Sequence, residues 1–501
     1  MKAISILNDV LGPVMRGPSS SHTAASYQIG VLARALLGGE VQAATFAFDP
    51  AGSYAQVYAQ QGSDRAFAAG LMGWSITDDR FFQALDLAAA AGIDLLFEVK
   101  PLPHADHPNT VDARLASEDG RCLHLTANSI GGGALVITRL EGWPLRLRGD
   151  AHEILVEVEA AQAPAAREIL EHAEQNLEPL AQQAREGLVL LHARRSSAPK
   201  PGLHARLAGL PGQPRIWTAP PVFYAQRGGP LLSSAAEMAV LAEEKSLSLG
   251  QVALAYESAL LGLPEPAVLD EMQLRFEVMA TAVERGLGED LPPMMLLRPS
   301  ARHVHRAEAD GRLPTGGIHT RAAARAMAVM HVNGGHGVVC AAPTAGSAGV
   351  VPAVAVTMAQ EWDLNPEQVG LALLAASAVG LVLGTRATFA AEVAGCQVEI
   401  CAAGAMGAAA VVEAAGGTAS EALDAAAISF QNTMGSICDL VQGIVEIPCH
   451  TRNAAAASGA FLCADLILGG YVNPIPLDET IDAVYAVGQM MPRELRCTAL
   501  G

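Results

Sequence analysis

The stretch from Gly395 to Asn453 most constrains how this chain can fold. Its Ala-rich segments read as helices, and three cysteines each sit at or beside a chain breaker, in Ala394-Gly395-Cys396, Ser436-Ile437-Cys438 and Ile447-Pro448-Cys449. Cysteines so placed can project from segment ends into one pocket, as a helical scaffold around a metal centre requires. Their spacings of 42 and 11 residues are too open for a zinc ribbon or finger, whose ligands come in close pairs, and differ from the tight ferredoxin run. Three thiolates on a four-iron cluster would leave one iron without a protein ligand, free to act as a Lewis acid. Spacing alone leaves three buried apolar thiols as an equal account, because free cysteine is among the most buried residue types.

Composition narrows the class. The 501 residues give room for two or three domains and a large core. Acidic residues outnumber basic ones 51 to 32 and no Lys/Arg run occurs, which argues against nucleic acid and anionic membranes as partners. Eight cysteines over this length are no disulfide framework, and their clustering in the last quarter fits a reducing compartment. The first residues meet a charge too early for a secretory signal, so the expected location is cytoplasmic. The nearly uncharged run from Val369 to Gly384 is about 16 residues long, short of the ~20 that span a membrane, and reads as a packed core helix. Large apolar helices suggest a homodimer.

In chain order, Gly17-Pro18-Ser19-Ser20-Ser21-His22-Thr23 precedes the apolar periodic run Ala25 to Leu37. This is a loop feeding a helix start, where free N–H groups and hydroxyls can hold a carboxylate. Strands are expected over 41–48, 95–99, 111–115, 122–127 and 134–139, with helices over 64–74 and 81–91, giving an α+β domain over 1–148. A strand, helix, strand pattern over 153–192 and the Ser/Pro/Gly-rich segment 196–214 make 149–215 a short module or linker. Residues 216–501 are expected to form a mainly α-helical domain. In it, the small residues of Ala342 to Gly349 form a helix-start loop that can meet an anionic substrate.

The motifs Gly395-Cys396-Gln397-x-Glu399, Cys438-Asp439, Glu446-x-Pro448-Cys449-x-x-Arg452-Asn453 and Ala342-Pro343-Thr344-Ala345-Gly346-Ser347-Ala348-Gly349 resemble the catalytic domain of the iron-sulfur-dependent L-serine dehydratases. The string from Gly17 to Thr23, with His107-Pro108-Asn109-Thr110 and Ser129 to Gly133, is similar to that family's small domain. The resemblance implies a 4Fe-4S cluster on Cys396, Cys438 and Cys449 that binds a small amino-acid or hydroxy-acid substrate, without pyridoxal phosphate. It implies substrate contacts from Ser19, Ser20, Ser21, Thr23, Asn109, Thr344, Gly346, Ser347 and Arg452, and acid/base roles for His22 or His107. Cys497, near an ending like the family's, could donate a fourth thiolate in a resting state. Residues 149–215 stand where relatives often carry a regulatory module of the ACT type.

Three departures bear on the substrate. Gln61, in Gln60-Gln61-Gly62-Ser63-Asp64, stands where the family has a histidine thought to serve catalysis, and an amide exchanges no proton at neutral pH. Leu440 and Gln442 follow Cys438 in place of the family's Pro and Ala, and Glu392 lies in an approach to Gly395 that is Ser- and Gly-rich elsewhere. The expected activity is elimination from L-serine or a related β-hydroxy amino acid. The alternatives are a lyase on another small substrate, such as an L-cysteine desulfidase, and a non-catalytic iron-sulfur sensor.

Overall fold

The computed structural model describes residues 3–173, 176–498 and 500. Residues 4–11, at the start of the stretch assigned to the α+β domain, lie elsewhere. Ile6, Leu7, Val10 and Leu11 are fully or nearly fully buried in the core of the helical region. Their turn is tied down by the Glu257 carboxylate, which accepts from the Ser5 hydroxyl at 2.5 Å, Ile6 N–H at 2.8 Å and Leu7 N–H at 3.0 Å. The strand β1 (Val14–Arg16) follows. Sequence pattern missed this docking because the partners lie some 250 positions away.

The α+β region then forms. A six-stranded sheet takes β2 (Val41–Phe48), β3 (Asp94–Val99), β4 (Thr110–Ser117), β5 (Cys122–Gly131), β6 (Ala134–Leu140) and β7 (Trp143–Leu147) in the order β3-β2-β4-β5-β6-β7. Only β2 and β3 run parallel. Alternation along β4 and β5 turns Val111, Ala113, Leu115, Leu123 and Leu125 inward, where they pack with Ile29, Leu32 and Leu36 of the helix Ala25–Leu37.

A second sheet, all antiparallel, joins β8 (His152–Glu159), β9 (Ala181–Arg185), β10 (Leu188–Arg195) and β11 (Arg215–Ala219) in the order β11-β8-β10-β9. One face carries Ile154, Val156 and Leu191 against the helices Ala163–Ala173 and Leu203–Ala208, and the other puts Leu155, Leu190 and Trp217 on the first domain's core. The sequence reading missed β9 and β11. The segment 196–214, read as a connection, contains a helix and leads into β11, the sheet's edge. The helix of that strand, helix, strand pattern is described over Ala163–Ala173, and residues 174 and 175 lie outside the described residues.

The remainder is mainly helical. Ile400–Ala414 packs against Val350–Glu361, Pro366–Arg386, Ala419–Thr433 and Cys449–Leu468. The helix Pro366–Arg386 is longer than the apolar run suggested, at 21 residues, and by length and composition both it and Cys396–Ala414 could cross a membrane. Their burial inside the protein, 78% and 89% over the apolar windows, accounts for the hydropathy instead. Small residues permit that packing: a Cβ on Gly380 would lie 2.3 Å from Val10 Cγ1. The short strand β12 (Val338–Cys340) pairs antiparallel with β1, so the first residues of the chain add a strand to the helical region.

Candidate active site

Each cysteine is delivered by a different local device. Gly395 has φ +74°, a left-handed conformation suited to glycine, and a Cβ there would meet Met491 Sδ at 2.8 Å and Ser436 O at 3.0 Å. Cys396 follows in a single 3-10 turn. Cys438 opens β13 (Cys438–Asp439), which runs parallel to β14 (Arg496–Thr498), and Cys449 begins the helix Cys449–Leu468. Cys396, Cys438, Cys449 and Cys497 all line one cavity of about 220 Å³.

The electrostatics of this wall ask for positive charge. Burial, then the neighbouring Cys438, Cys401, Glu399 and Cys449, push the Cys396 thiol well above its usual range. Cys449 is raised for similar reasons, with Arg452 opposing. Cys438 is raised by its hydrogen bond to Cys497 and then by burial; that bond opposes the rise of Cys497, which burial and nearby Glu392 and Glu399 carry to about 11. Four thiols ringing one cavity, each costly to ionise alone, suit a polynuclear cation whose charge reverses that cost. Among the described residues no group of three or more His, Cys, Asp or Glu could hold a single metal ion. A cluster spreads its ligands over separate irons, so donors ringing a cavity fit it better than they fit one ion.

Part of the same lining comes from the other end of the chain. Ser19 caps the turn Ser20–Ala24, its hydroxyl accepting from His22 N–H at 3.1 Å. The same hydroxyl lies 3.1 Å from His22 Nδ1, and His22 Nε2 lies 3.0 Å from Ser53 Oγ. With the Ser19 oxygen already accepting, its hydrogen is free for Nδ1, which places the imidazole hydrogen on Nε2 toward Ser53. Burial lowers the His22 pKa to about 4, with Glu392 opposing, so the ring is neutral at neutral pH. The backbone N–H groups expected to bind an anion here are mostly used: those of Thr23 and Ala24 donate to Ser19 O, and that of His22 to the Ser19 hydroxyl.

A family model described as serine dehydratase alpha chain matches residues 233–501, more than half of the chain. The chain belongs to the L-serine dehydratase family. It is accordingly a lyase. The probable L-serine dehydratase alpha chain of Bacillus subtilis is 37% identical over 265 residues, covering 53% of this chain and 88% of that one. The probable beta chain of the same organism is 44% identical over 148 residues, covering 30% of this chain and 66% of its own length. The L-serine dehydratase of Mycobacterium tuberculosis is 37% identical over 181 residues, 35% of this chain and 39% of that protein. One polypeptide here resembles both an alpha and a beta chain.

In this family member the cavity gathers Ser19, Ser20, Ser21, His22, Gln61, Gly346 and Arg452 with the cysteines. Other expected contacts stand behind the lining. Thr23 donates its hydroxyl to Gln61 O at 2.7 Å, and Ser347 donates to backbone carbonyls while accepting from Thr344 N–H at 3.2 Å. His107 and Asn109 sit one layer out, where Asn109 Nδ2 donates to Glu392 at 3.4 Å. Burial lowers the His107 pKa, with Glu392 and Asp106 opposing. Arg452, expected to meet a substrate carboxylate, is already engaged by Ile437 O at 2.7 Å, Asp439 at 3.1 Å and the Cys396 sulfur.

Two participants were not assigned roles from sequence. Ser53 meets His22, with no motif to announce it. Glu399, quoted only as part of the cysteine motif, is half-buried, and desolvation together with Glu392 raises its carboxyl to about 8 against a hydrogen bond from Thr344. It is therefore mostly protonated at neutral pH, and the pairing of glutamates seven positions apart is the signal that could have exposed it. Behind the loop, Asn453 accepts from Gly349 N–H at 3.1 Å and donates to Gly346 O at 2.9 Å, locking Gly346 to the helix that starts at Cys449.

Proposed function

We propose that this chain eliminates water from L-serine at a 4Fe-4S cluster held by Cys396, Cys438 and Cys449, releasing pyruvate and ammonia. The observation that supports this reading above the others is the convergence of those cysteines on a cavity that the Ser19 to His22 turn also lines. When bound, the cluster would supply a Lewis acid for the departing hydroxyl. The hydroxyls of Ser20 and Ser21 donate to the substrate carboxylate. Arg452 stays with Cys396 and Asp439, where it offsets sulfur charge rather than binding substrate. His22 is neutral and is oriented by Ser19 and Ser53; when the Ser19 hydroxyl turns its hydrogen to the substrate carboxylate, Nδ1 is freed to accept the α-proton, and the nearby Glu392 favours the imidazolium that forms. Loss of that proton and of the β-hydroxyl leaves 2-aminoacrylate, which tautomerises and hydrolyses to the 2-oxo acid. Closure of the substrate between two walls excludes bulk water from the reacting carbons. The four thiols, with Cys497 beside Cys438, also suit a resting state in which Cys497 fills the fourth position.

The test is an anaerobic preparation assayed for broad visible absorbance and then for pyruvate from L-serine. Absence of the absorbance after anaerobic reconstitution overturns the cluster, and sulfide release from L-cysteine in excess of pyruvate from L-serine overturns the substrate.

A further inference from the structure

Among the described residues that line the cavity, Gln61 is the one whose side chain holds a buried polar atom without a hydrogen-bond partner. Its backbone N–H donates to Val57 O at 2.8 Å and its carbonyl accepts from Thr23 at 2.7 Å. Its Nε2 donates to Gly443 O at 3.3 Å. A carbonyl oxygen can only accept, so this bond fixes which end of the amide is which. The remaining atom, Oε1, has no hydrogen-bond partner among the described residues, although Gln61 is only 5% exposed and lines the cavity. The backbone cannot easily turn the side chain away. Gly62 is left-handed at φ +67°, and a Cβ there would lie 3.1 Å from the His336 ring.

A buried acceptor left unpaired is costly, and a donor carried in by a bound molecule relieves that cost. Of its neighbours, both His22 nitrogens already meet serines and Arg452 has three partners. We propose that Gln61 Oε1 receives the α-ammonium group of the substrate, which makes Gln61 the residue that selects amino acids over the corresponding hydroxy acids. The inference rests on the dehydratase reading and specifies its substrate class. Of the two donors that serine offers, the ammonium forms the stronger, charge-assisted bond. Glu392, lining the same cavity, adds negative potential for a cation. A carboxamide accepts this hydrogen bond without removing the proton, so proton transfer is left to other groups.

The experiment uses anaerobic holoenzyme and measures calorimetric affinity for two non-reacting probes. L-Alanine has the ammonium without the hydroxyl, and 3-hydroxypropanoate has the hydroxyl without the ammonium. Gln61→Met removes the acceptor at similar length and is expected to weaken L-alanine about 10- to 100-fold while changing 3-hydroxypropanoate less than about threefold. Gln61→Glu keeps an acceptor and is expected to retain L-alanine binding, which guards against a folding defect. Equal loss of both probes, loss of 3-hydroxypropanoate alone, or no loss at all overturns the inference. Failure of the dehydratase reading shows separately, as wild-type enzyme that binds L-alanine yet releases no pyruvate from L-serine.

Discussion

The cysteine lining and the hydroxyl lining of the cavity have opposite chemical requirements. The first collects thiols and carboxyls whose ionisation is suppressed by burial and by one another, so it is incomplete without positive charge. The second is a closed network of short-range hydrogen bonds, with His22 held between two serines and Gln61 clamped at three of its four polar groups. In the proposed reaction the first set would activate the leaving group and the second orient the substrate.

That contrast can be broken from either side. The largest effect is expected from Cys396→Ala, which should abolish the visible absorbance and reduce pyruvate formation by ~10³-fold or more, as the loss of several kcal/mol of electrostatic stabilisation implies. Activity surviving in the absence of that absorbance would end the division of labour. On the hydroxyl wall, His22→Asn should cost about 10² to 10⁴ in kcat while leaving the absorbance intact. A simultaneous loss of colour would show that His22 serves the cluster instead.

A subtler separation uses pH. His336 backs onto Gly62 behind the hydroxyl wall, and burial, then Arg65 and Arg16, lower its pKa from 6.5 to about 4. The unfolded chain therefore takes up this proton first, so the contribution is fully present above pH 6.5 and is lost as pH falls toward 4. The shift corresponds to on the order of 3 kcal/mol at the acid end. Unfolding midpoints of His336→Asn should accordingly fall less steeply than wild type between pH 6.5 and 4, and parallel curves would contradict the burial argument. The smallest effect concerns the anchor of the first residues of the chain. Glu257→Gln retains the shape but loses charge assistance to Ser5, Ile6 and Leu7, and should lower stability by about 2 kcal/mol in urea titrations, with kcat little changed.

The sequence made the helices and the family legible because both leave local traces. Ala235–Lys245 and Val350–Glu361 follow from apolar periodicity and their start signals, and the cysteines stand in distinctive short motifs beside breakers. What remained hidden depends on distant partners. Nothing local says that residues 4–11 leave the α+β region for a helical core, since the Glu257 that holds them has no motif. Ser347 and Thr23 looked like substrate contacts because their hydroxyls stand in family strings, yet each is spent on the backbone of its own surroundings. Ser53 was overlooked for the converse reason: a serine in a polar turn carries no signal until folding sets it 3.0 Å from His22.

The pairing of β1 with β12 has a practical consequence. Protease cleavage in the 220–232 connection would cut the covalent path between the two regions, but a strap of early residues would still be buried under Glu257 and zipped to Val338–Cys340. The nicked halves should therefore co-purify as one particle.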